Sequence, residues 1–124
     1  MPSAQDIMTV DIITVKESTP ASEAIKLILE KRISGIPVVS DNMKLVGILS
    51  EKDLLQLCFF DNLHEAKVSD LMTRDVITMQ KDEDLLEICE FFMNNNYKRV
   101  PIVSDDKIVG IISRKDMLKY ILKK

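Results

Sequence analysis

The residues of this chain that could do chemistry are a serine and an aspartate three positions apart, and the pair occurs twice. Ser50 precedes Asp53, and 63 residues later Ser113 precedes Asp116. Each serine ends an apolar run that begins with glycine, and it opens a segment with the spacing of a helix. A hydroxyl beside the free N–H groups of a helix start can hold an anion, and a carboxylate one turn later can accept hydrogen bonds from a diol. The pattern indicates a phosphate contact and a sugar contact, each present twice.

A simpler interpretation of these residues is helix capping. A serine at the N-cap contributes about 1 kcal/mol, and an aspartate in the first turn interacts favourably with the helix dipole. Capping explains the residue types, but it does not explain why the same pair recurs in register behind the same glycine-led strand. Both interpretations stay open at this point.

A basic pair distinguishes the second copy from the first. Lys98 and Arg99 precede the apolar run 100–103, whereas Ser34 and Gly35 stand at the matching place in the first copy. The pair is either a solvated helix end or a phosphate contact, for which the forked donors of arginine are well suited. If it contacts phosphate, the second copy should favour a phosphorylated ligand more strongly than the first.

The sequence lacks the residues that catalytic, phosphate-loop and metal sites need. The one histidine, His64, lies in the polar stretch between the copies, which excludes a Ser–His–Asp arrangement. Cys58 and Cys89 stand alone in apolar helical contexts, as is typical of buried thiols. Three glycines form no phosphate-binding loop, and no cluster of residues has the spacing of metal ligands. The sequence therefore contains no catalytic constellation, and we expect no enzyme.

Length and composition are those of a small globular protein. The 124 residues are 46% hydrophobic and 30% charged, with a net charge of −3, which disfavours nucleic acid as a partner. No apolar run approaches the ~18 residues of a membrane span, and the N-terminus lacks the pattern of a signal peptide. We expect a cytoplasmic protein without membrane association.

An internal repeat must position the paired residues. With a shift of 64 residues, segment 7–15 aligns with 71–79 and segment 36–41 aligns with 100–105. The same order of elements in both copies indicates a duplication. We predict repeat 1 at residues 1–62, a linker at 63–67 and repeat 2 at residues 68–124.

Each copy is predicted to have the order strand, helix, strand, strand, helix. The predicted strands are 12–15, 36–39 and 44–49 in the first copy, and 76–79, 100–103 and 108–112 in the second. The predicted helices begin at Thr19 with Pro20, at Ser50, at Asp82 and at Arg114, and the third ends at the asparagines 94–96.

With these residues in view, the chain resembles the cystathionine β-synthase (CBS) domain family, as one tandem pair, often called a Bateman module. The resemblance covers about residues 4–122. It rests on Met-Thr at 8–9 and 72–73, Asp-x-Ile-Thr at 11–14 and 75–78, the proline-containing runs 36–39 and 100–103, and the glycine-to-aspartate stretches 47–53 and 110–116. It implies an α/β (α+β) fold of two pseudo-twofold-related β-α-β-β-α units packed through their sheets, with two clefts between them.

The resemblance also implies a ligand, because clefts of this family commonly bind adenosine derivatives. The candidate ligands are AMP, ADP, ATP and S-adenosylmethionine, and no cofactor is required. Asp53 and Asp116 would hold ribose hydroxyls, and Ser50 and Ser113 would contact phosphate, with Lys98 and Arg99 beside the second. The residues that would enclose the base are Ile13, Thr14, Gly35, Ile36 and Pro37 in the first copy, and Ile77, Thr78, Val100 and Pro101 in the second.

CBS pairs usually regulate an attached enzyme, channel or transporter, and this chain has no room for one. The resemblance therefore implies a stand-alone pair that binds an adenine nucleotide and signals by conformational change to an unidentified protein in trans. Such pairs commonly form homodimers, here through apolar residues such as Leu57, Phe59 and Phe60, unless these fill the core. The alternative is a ligand-free dimerisation or scaffolding module.

Overall fold

The computed structural model describes the backbone of residues 1–124 and every side chain except that of Leu63. Six helices and six strands lie along the chain in this order: α1 (Ala4–Ile7), β1 (Val15–Lys16), α2 (Ala21–Lys31), β2 (Gly35–Val39), β3 (Leu45–Ser50), α3 (Glu51–Leu54), α4 (Val68–Leu71), β4 (Met79–Gln80), α5 (Leu85–Asn94), β5 (Arg99–Ser104), β6 (Lys107–Ser113) and α6 (Arg114–Leu122). Two 3₁₀ turns, Leu55–Phe59 and Leu63–Glu65, separate α3 from α4. Each copy thus contains the predicted β-α-β-β-α order, which confirms the α+β fold class.

The chain divides into two compact units, and each contains one three-stranded sheet. The central unit is Ile13–Val76, with strand order β1-β2-β3. The terminal unit combines Met1–Ile12 with Ile77–Lys124, with strand order β4-β5-β6. In both sheets the middle strand is parallel to the first strand and antiparallel to the third.

The first strand of each sheet is shorter and later than predicted. The residues that pair are Val15–Lys16 and Met79–Gln80, not 12–15 and 76–79. Val15 lies opposite Val38 and Met79 lies opposite Ile102, so each ladder begins one residue after a proline of the middle strand. Proline has no N–H to donate, so the parallel ladder cannot extend backwards past it.

Each unit is completed by a short segment from the start of the other repeat. These segments, residues 1–12 and 68–73, are called leaders below. In the terminal unit, Thr9 and Ile111 exchange two backbone hydrogen bonds of 2.9 and 3.0 Å. In the central unit, Thr73 and Ile48 do the same at 2.9 Å each. The compact units therefore follow other boundaries than the sequence repeats, because residues 1–12 and 68–73 are exchanged.

The glycine of each glycine-to-aspartate stretch lies beneath the methionine of a leader. A Cβ on Gly47 would lie 2.8 Å from the Met72 sulfur and 2.9 Å from the Thr73 carbonyl oxygen. A Cβ on Gly110 would lie 2.7 Å from Met8 Cγ. All three distances are shorter than van der Waals contact. At Gly47 the contact includes backbone, so this glycine is required for its leader to cross β3, whereas a side chain at Gly110 would require Met8 to move.

The core of each unit is apolar and includes its leader. In the central unit the inner face of α2 (Ala21, Ala24 and Ile28) packs with β2, β3 and the leader residues Val68 and Leu71. The terminal unit packs Leu85, Ile88 and Phe92 of α5 with its two long strands and with Ala4 of α1. These helical residues recur at three- and four-residue spacing, which is the pattern that predicted the helices.

Two predicted helix starts need correction. The N-cap of α2 is Pro20, and the Thr19 hydroxyl accepts a hydrogen bond from the Lys16 N–H at 3.0 Å instead of capping the helix. The N-cap of α5 is Asp84, whose carboxylate accepts the Leu86 N–H at 2.9 Å, not Asp82. The N–H groups of Ala4 and Gln5 in the leader donate to the carbonyls of Glu83 and Lys81. These bonds hold the turn before α5, and the helix begins after Asp84.

The exposure of individual side chains tests two predictions made from the sequence, the buried thiols and the apolar contact residues. Cys58 is exposed and Cys89 is half-buried, so the expectation of two buried thiols is wrong. Leu57 packs against the central core, whereas Phe59 is 91% exposed and Phe60 is exposed as well. None of the helices in the described chain is both long and apolar enough to span a membrane.

Candidate ligand-binding sites

In the terminal unit, strand directions bring the second-copy residues to one edge of the sheet. β4 and β5 are parallel, so both begin at this edge, and the antiparallel β6 ends there. Arg99, the first residue of β5, pairs with Ser113, the last residue of β6. Ile77 and Thr78 lead into β4 at the same edge, and α6 begins directly after Ser113.

The pair Ser113 and Asp116 forms a reciprocal capping box at the start of α6. The Ser113 hydroxyl accepts the Asp116 N–H at 3.1 Å, and the Asp116 Oδ2 accepts the Ser113 N–H at 2.8 Å. Both residues are half-buried. Capping is therefore one role of this pair. The Asp116 carboxylate can accept further hydrogen bonds, because a carboxylate offers about four lone-pair sites and the capping box uses one.

Basic residues surround this helix start. Lys98 and Arg99 are exposed, and the Lys98 carbonyl accepts the Arg114 N–H at 3.0 Å, which places the basic pair against the first turn of α6. Arg114 and Lys115 follow in that turn and are exposed too. These two cations stand between Ser113 and Asp116 and were not among the predicted ligand contacts. The positive end of the helix dipole adds to their charge, so this edge favours an anion.

The apolar residues expected around the base divide into two groups. Val100 and Pro101 are buried, and Val100 belongs to the core of the unit, so these two pack inside the sheet edge and offer little surface to a ligand. Ile77 is 45% exposed, and Thr78 is exposed next to it. Of the four, Ile77 and Thr78 are therefore the ones that offer surface to a ligand.

The central unit repeats the arrangement around Ser50 and Asp53. The Ser50 hydroxyl accepts the Asp53 N–H at 3.1 Å, and the Asp53 Oδ2 accepts the Ser50 N–H at 3.0 Å. Gly35 pairs with Ser50 at the sheet edge. The Thr73 hydroxyl lies 3.4 Å from Asp53 Oδ1, a long hydrogen bond that occupies part of this carboxylate.

The other first-copy residues lie at the same edge. Ile13 and Thr14 lead into β1 and are half-buried, as is Gly35. Ile36 and Pro37 are buried, like their second-copy counterparts. The structure thus brings all of the predicted residues of each copy to the edge of their own sheet.

The two edges differ in charge. α6 begins Arg114-Lys115, whereas α3 begins Glu51-Lys52, whose charges cancel. The second edge also has Lys98 and Arg99 where the first has Ser34 and Gly35. The second-copy edge is therefore the better place for a phosphate.

Comparison with known proteins gives consistent matches over the whole fold. Uncharacterized protein MJ1232 of Methanocaldococcus jannaschii is 44% identical over 117 residues, which are 94% of this chain and 38% of that protein. The chain likewise spans 42% of MJ1225 from the same organism, so both relatives are much longer than the sequence described.

Two solved structures share the fold and contain adenosine compounds. CBSX2 in complex with AMP superposes with a TM-score of 0.88 at 30% identity, covering 99% of this chain and 98% of the other; CBSX2 is a CBS-pair protein from Arabidopsis thaliana. The CBS domain pair of protein MJ0100, in complex with 5′-methylthioadenosine and S-adenosyl-L-methionine, superposes with a TM-score of 0.81 at 28% identity, covering 100% and 99% of the two chains.

The family assignment rests on matches in both halves of the chain. The profile described as "CBS domain" matches residues 4–59 and again residues 68–123. Each match contains one Ser–Asp capping box and one glycine crossed by a leader methionine. The chain therefore belongs to the CBS domain family and contains a tandem pair of CBS domains.

Proposed function

We propose that this CBS pair is a regulatory module that binds an adenosine-containing ligand at the edge of the β4-β5-β6 sheet. The observation that carries the proposal is the Ser113–Asp116 box at the start of α6, with Lys98 and Arg99 held beside it. AMP, 5′-methylthioadenosine and S-adenosylmethionine in the two similar structures support the adenosine class.

Each residue of this edge has a role in the proposal. The free lone pairs of Asp116 accept hydrogen bonds from the ribose diol. The first turn of α6, with Lys98 and Arg99, binds the phosphate, where charge-assisted hydrogen bonds are strongest. Ile77 and Thr78 line the base. The edge around Ser50 and Asp53 is a second, weaker site, because its charges cancel and Thr73 already contacts Asp53.

The regulatory part of the proposal concerns partners. A ligand regulates only if it binds one conformation better than another, and a partner that recognises that conformation then receives the signal. We propose such a partner in trans, in the cytoplasm. We also propose a homodimer, supported by apolar residues exposed at equivalent places in the two copies: Leu55 and Phe59 match Leu118 and Leu122, and all four are at least 60% exposed.

Isothermal titration with AMP, ADP, ATP and S-adenosylmethionine tests the proposal, on protein first unfolded and refolded to remove bound ligand. We expect saturable binding of at least one compound and a rise in melting temperature, since a ligand of the native state stabilises it. No heat and no thermal shift with any of the four would refute it.

A ligand-free association module is the second candidate function, and the exposure of Phe59 and Leu122, 91% and 88%, favours it. It predicts a dimer whose stability is indifferent to all four compounds. Sedimentation with and without nucleotide separates the two functions, and substitution of Phe59 by serine should weaken the dimer in either case.

A further inference from the structure

The residue after the capping serine differs between the two copies, and its charge at the sheet edge is not the whole of the difference. Arg114 is the first residue of α6, whereas Glu51 is the first residue of α3. A carboxylate at this position faces the positive end of the helix dipole and is favourable there, but a cation is not. Arg114 therefore occupies an unfavourable position in its own helix, and its guanidinium must be compensated by another element.

The guanidinium of Arg114 binds the C-terminus of α5. Its Nη2 donates to the Phe92 carbonyl at 3.2 Å and to the Asn95 carbonyl at 2.9 Å. α5 ends at Asn94, so these oxygens belong to its last turn and to its C-cap. Carbonyls at this end have no partner within the helix and lie at the negative end of its dipole. Arg114 thus supplies hydrogen bonds and charge that α5 itself lacks.

Arg114 holds the same segment at a third carbonyl through its backbone. Its main-chain N–H donates to the Lys98 carbonyl at 3.0 Å. One residue therefore fixes segment 92–98 at both ends and in the middle. This segment leads directly into Lys98 and Arg99, so Arg114 holds the backbone of the basic pair together with the ladder pairing of Arg99 and Ser113.

Glu51, at the matching position of the first copy, cannot form the side-chain link. The Glu51 N–H donates to the Ser34 carbonyl at 3.0 Å, which matches the backbone bond of Arg114, but a carboxylate has no N–H to donate to a carbonyl. α2 instead closes its own C-terminus: Arg32 adopts a left-handed conformation with φ 55°, and its N–H bonds the Ile28 carbonyl. The link is thus found in the copy that carries the basic pair.

We propose that Arg114 is a positioning residue, which holds Lys98 and Arg99 in place and thereby sets a preference for adenosine 5′-phosphates over adenosine. This inference rests on the proposed function. A basic pair on a fixed backbone loses less conformational freedom when it binds phosphate than a pair on a mobile one. Adenosine has no phosphate, so its affinity does not depend on this pre-organisation.

Replacement of Arg114 by glutamine or by methionine separates positioning from charge. Both side chains are neutral and similar in length, but only the glutamine amide has N–H groups to offer the carbonyls at the end of α5. Its nitrogen lies two bonds closer to the backbone than Arg114 Nη2, so it can replace one of the two bonds at most. We expect R114M to bind AMP about 2- to 10-fold more weakly than R114Q, the worth of one hydrogen bond, with equal adenosine affinities. Equal AMP affinities in the two variants would overturn the proposal, because charge alone would then explain Arg114.

Hydrogen exchange without ligand tests the positioning step by itself. Backbone amides of residues 96–99 should exchange faster in R114M than in R114Q, while amides in the middle of β6 remain alike in the two. Identical exchange at 96–99 would refute the positioning role. If instead the wild-type protein binds neither AMP nor adenosine, the proposed function fails, and the exchange result still decides whether Arg114 holds the segment.

Discussion

Replacing Asp116 by alanine should separate capping from ligand binding, because Asp6 provides a matched control. Both aspartates occupy the third position of a helix in the terminal unit and accept the N-cap backbone N–H. The distances are 2.8 Å from Ser113 N to Asp116 Oδ2 and 2.7 Å from Ser3 N to Asp6 Oδ2. The two substitutions therefore remove the same kind of capping bond, but only Asp116 lies in the helix whose first residue bonds the Lys98 carbonyl.

The expected magnitudes follow from these bonds. Loss of a capping interaction costs about 1 kcal/mol, so each variant should lose a similar amount of unfolding free energy in urea. The Asp116 variant should also lose the charged acceptor of the ribose diol, worth ~1–3 kcal/mol, which weakens nucleotide binding about 5- to 150-fold. The Asp6 variant should bind nucleotide with wild-type affinity.

Titration calorimetry and urea unfolding on the same protein preparations provide both values. Wild-type affinity in the Asp116 variant would remove the ribose assignment and leave capping as the whole role of this residue. An equal loss of affinity in the Asp6 variant would attribute the effect to general destabilisation. The contrast between the variants decides the question, since either measurement alone confounds folding with binding.

Three further predictions concern the fold. Gly47→Ala should lower the free energy of unfolding in urea by about 1–3 kcal/mol, because the new Cβ meets the Thr73 carbonyl oxygen at 2.9 Å. Gly35→Ala should lower it less, since the nearest atom to its Cβ is at 3.3 Å. The reverse order would contradict the argument that the leader crosses β3 at Gly47. Asp84→Ala should lose about 1 kcal/mol with its cap, and an unchanged midpoint would reject that assignment. A hydrogen bond with Glu87, then burial and nearby negative charges, raise the pKa of Glu83 above 4.5. Protonated Glu83 therefore stabilises the fold below pH 4.5, and this stabilisation is lost as the pH rises through the raised pKa. Glu83→Gln should be more stable than wild type at pH 7 and equal to it in acid. A difference in stability that does not change with pH would count against this explanation.

Local sequence patterns predicted the elements that depend on local physics. α6 was predicted to begin at Arg114 and does begin there, because a capping serine and apolar spacing define this start within its own residues. The long strands of both hairpins lie within two residues of their predicted bounds for the same reason. The capping boxes at Ser50 and Ser113 are local too, which explains why the centre of each candidate site could be found from the sequence.

The features that sequence analysis missed depend on segments distant along the chain. Strand propensity suggested four-residue first strands, but a strand needs a partner, and a proline of the middle strand limits the pairing to two residues. Asp82 was predicted to cap α5, but hydrogen bonds from the leader (Ala4 N to Glu83 O, Gln5 N to Lys81 O) fix the turn before this helix, and Asp84 caps it. The role of Arg114 required knowing that α5 ends within reach of α6.

The two glycines show how a correct motif can carry an incomplete explanation. Gly47 and Gly110 marked the repeated stretch, and the chemistry was assigned to the serine and aspartate that follow them. The structure gives each glycine a different purpose, which is to let Met72 or Met8 cross the third strand of a sheet. The stretch from glycine to aspartate therefore combines two requirements, a seat for the leader at one end and a capped helix start at the other. A leader that begins one repeat thus packs against the strand that ends at the candidate site of the other, so the repeats depend on each other for folding even though each site belongs to one sheet.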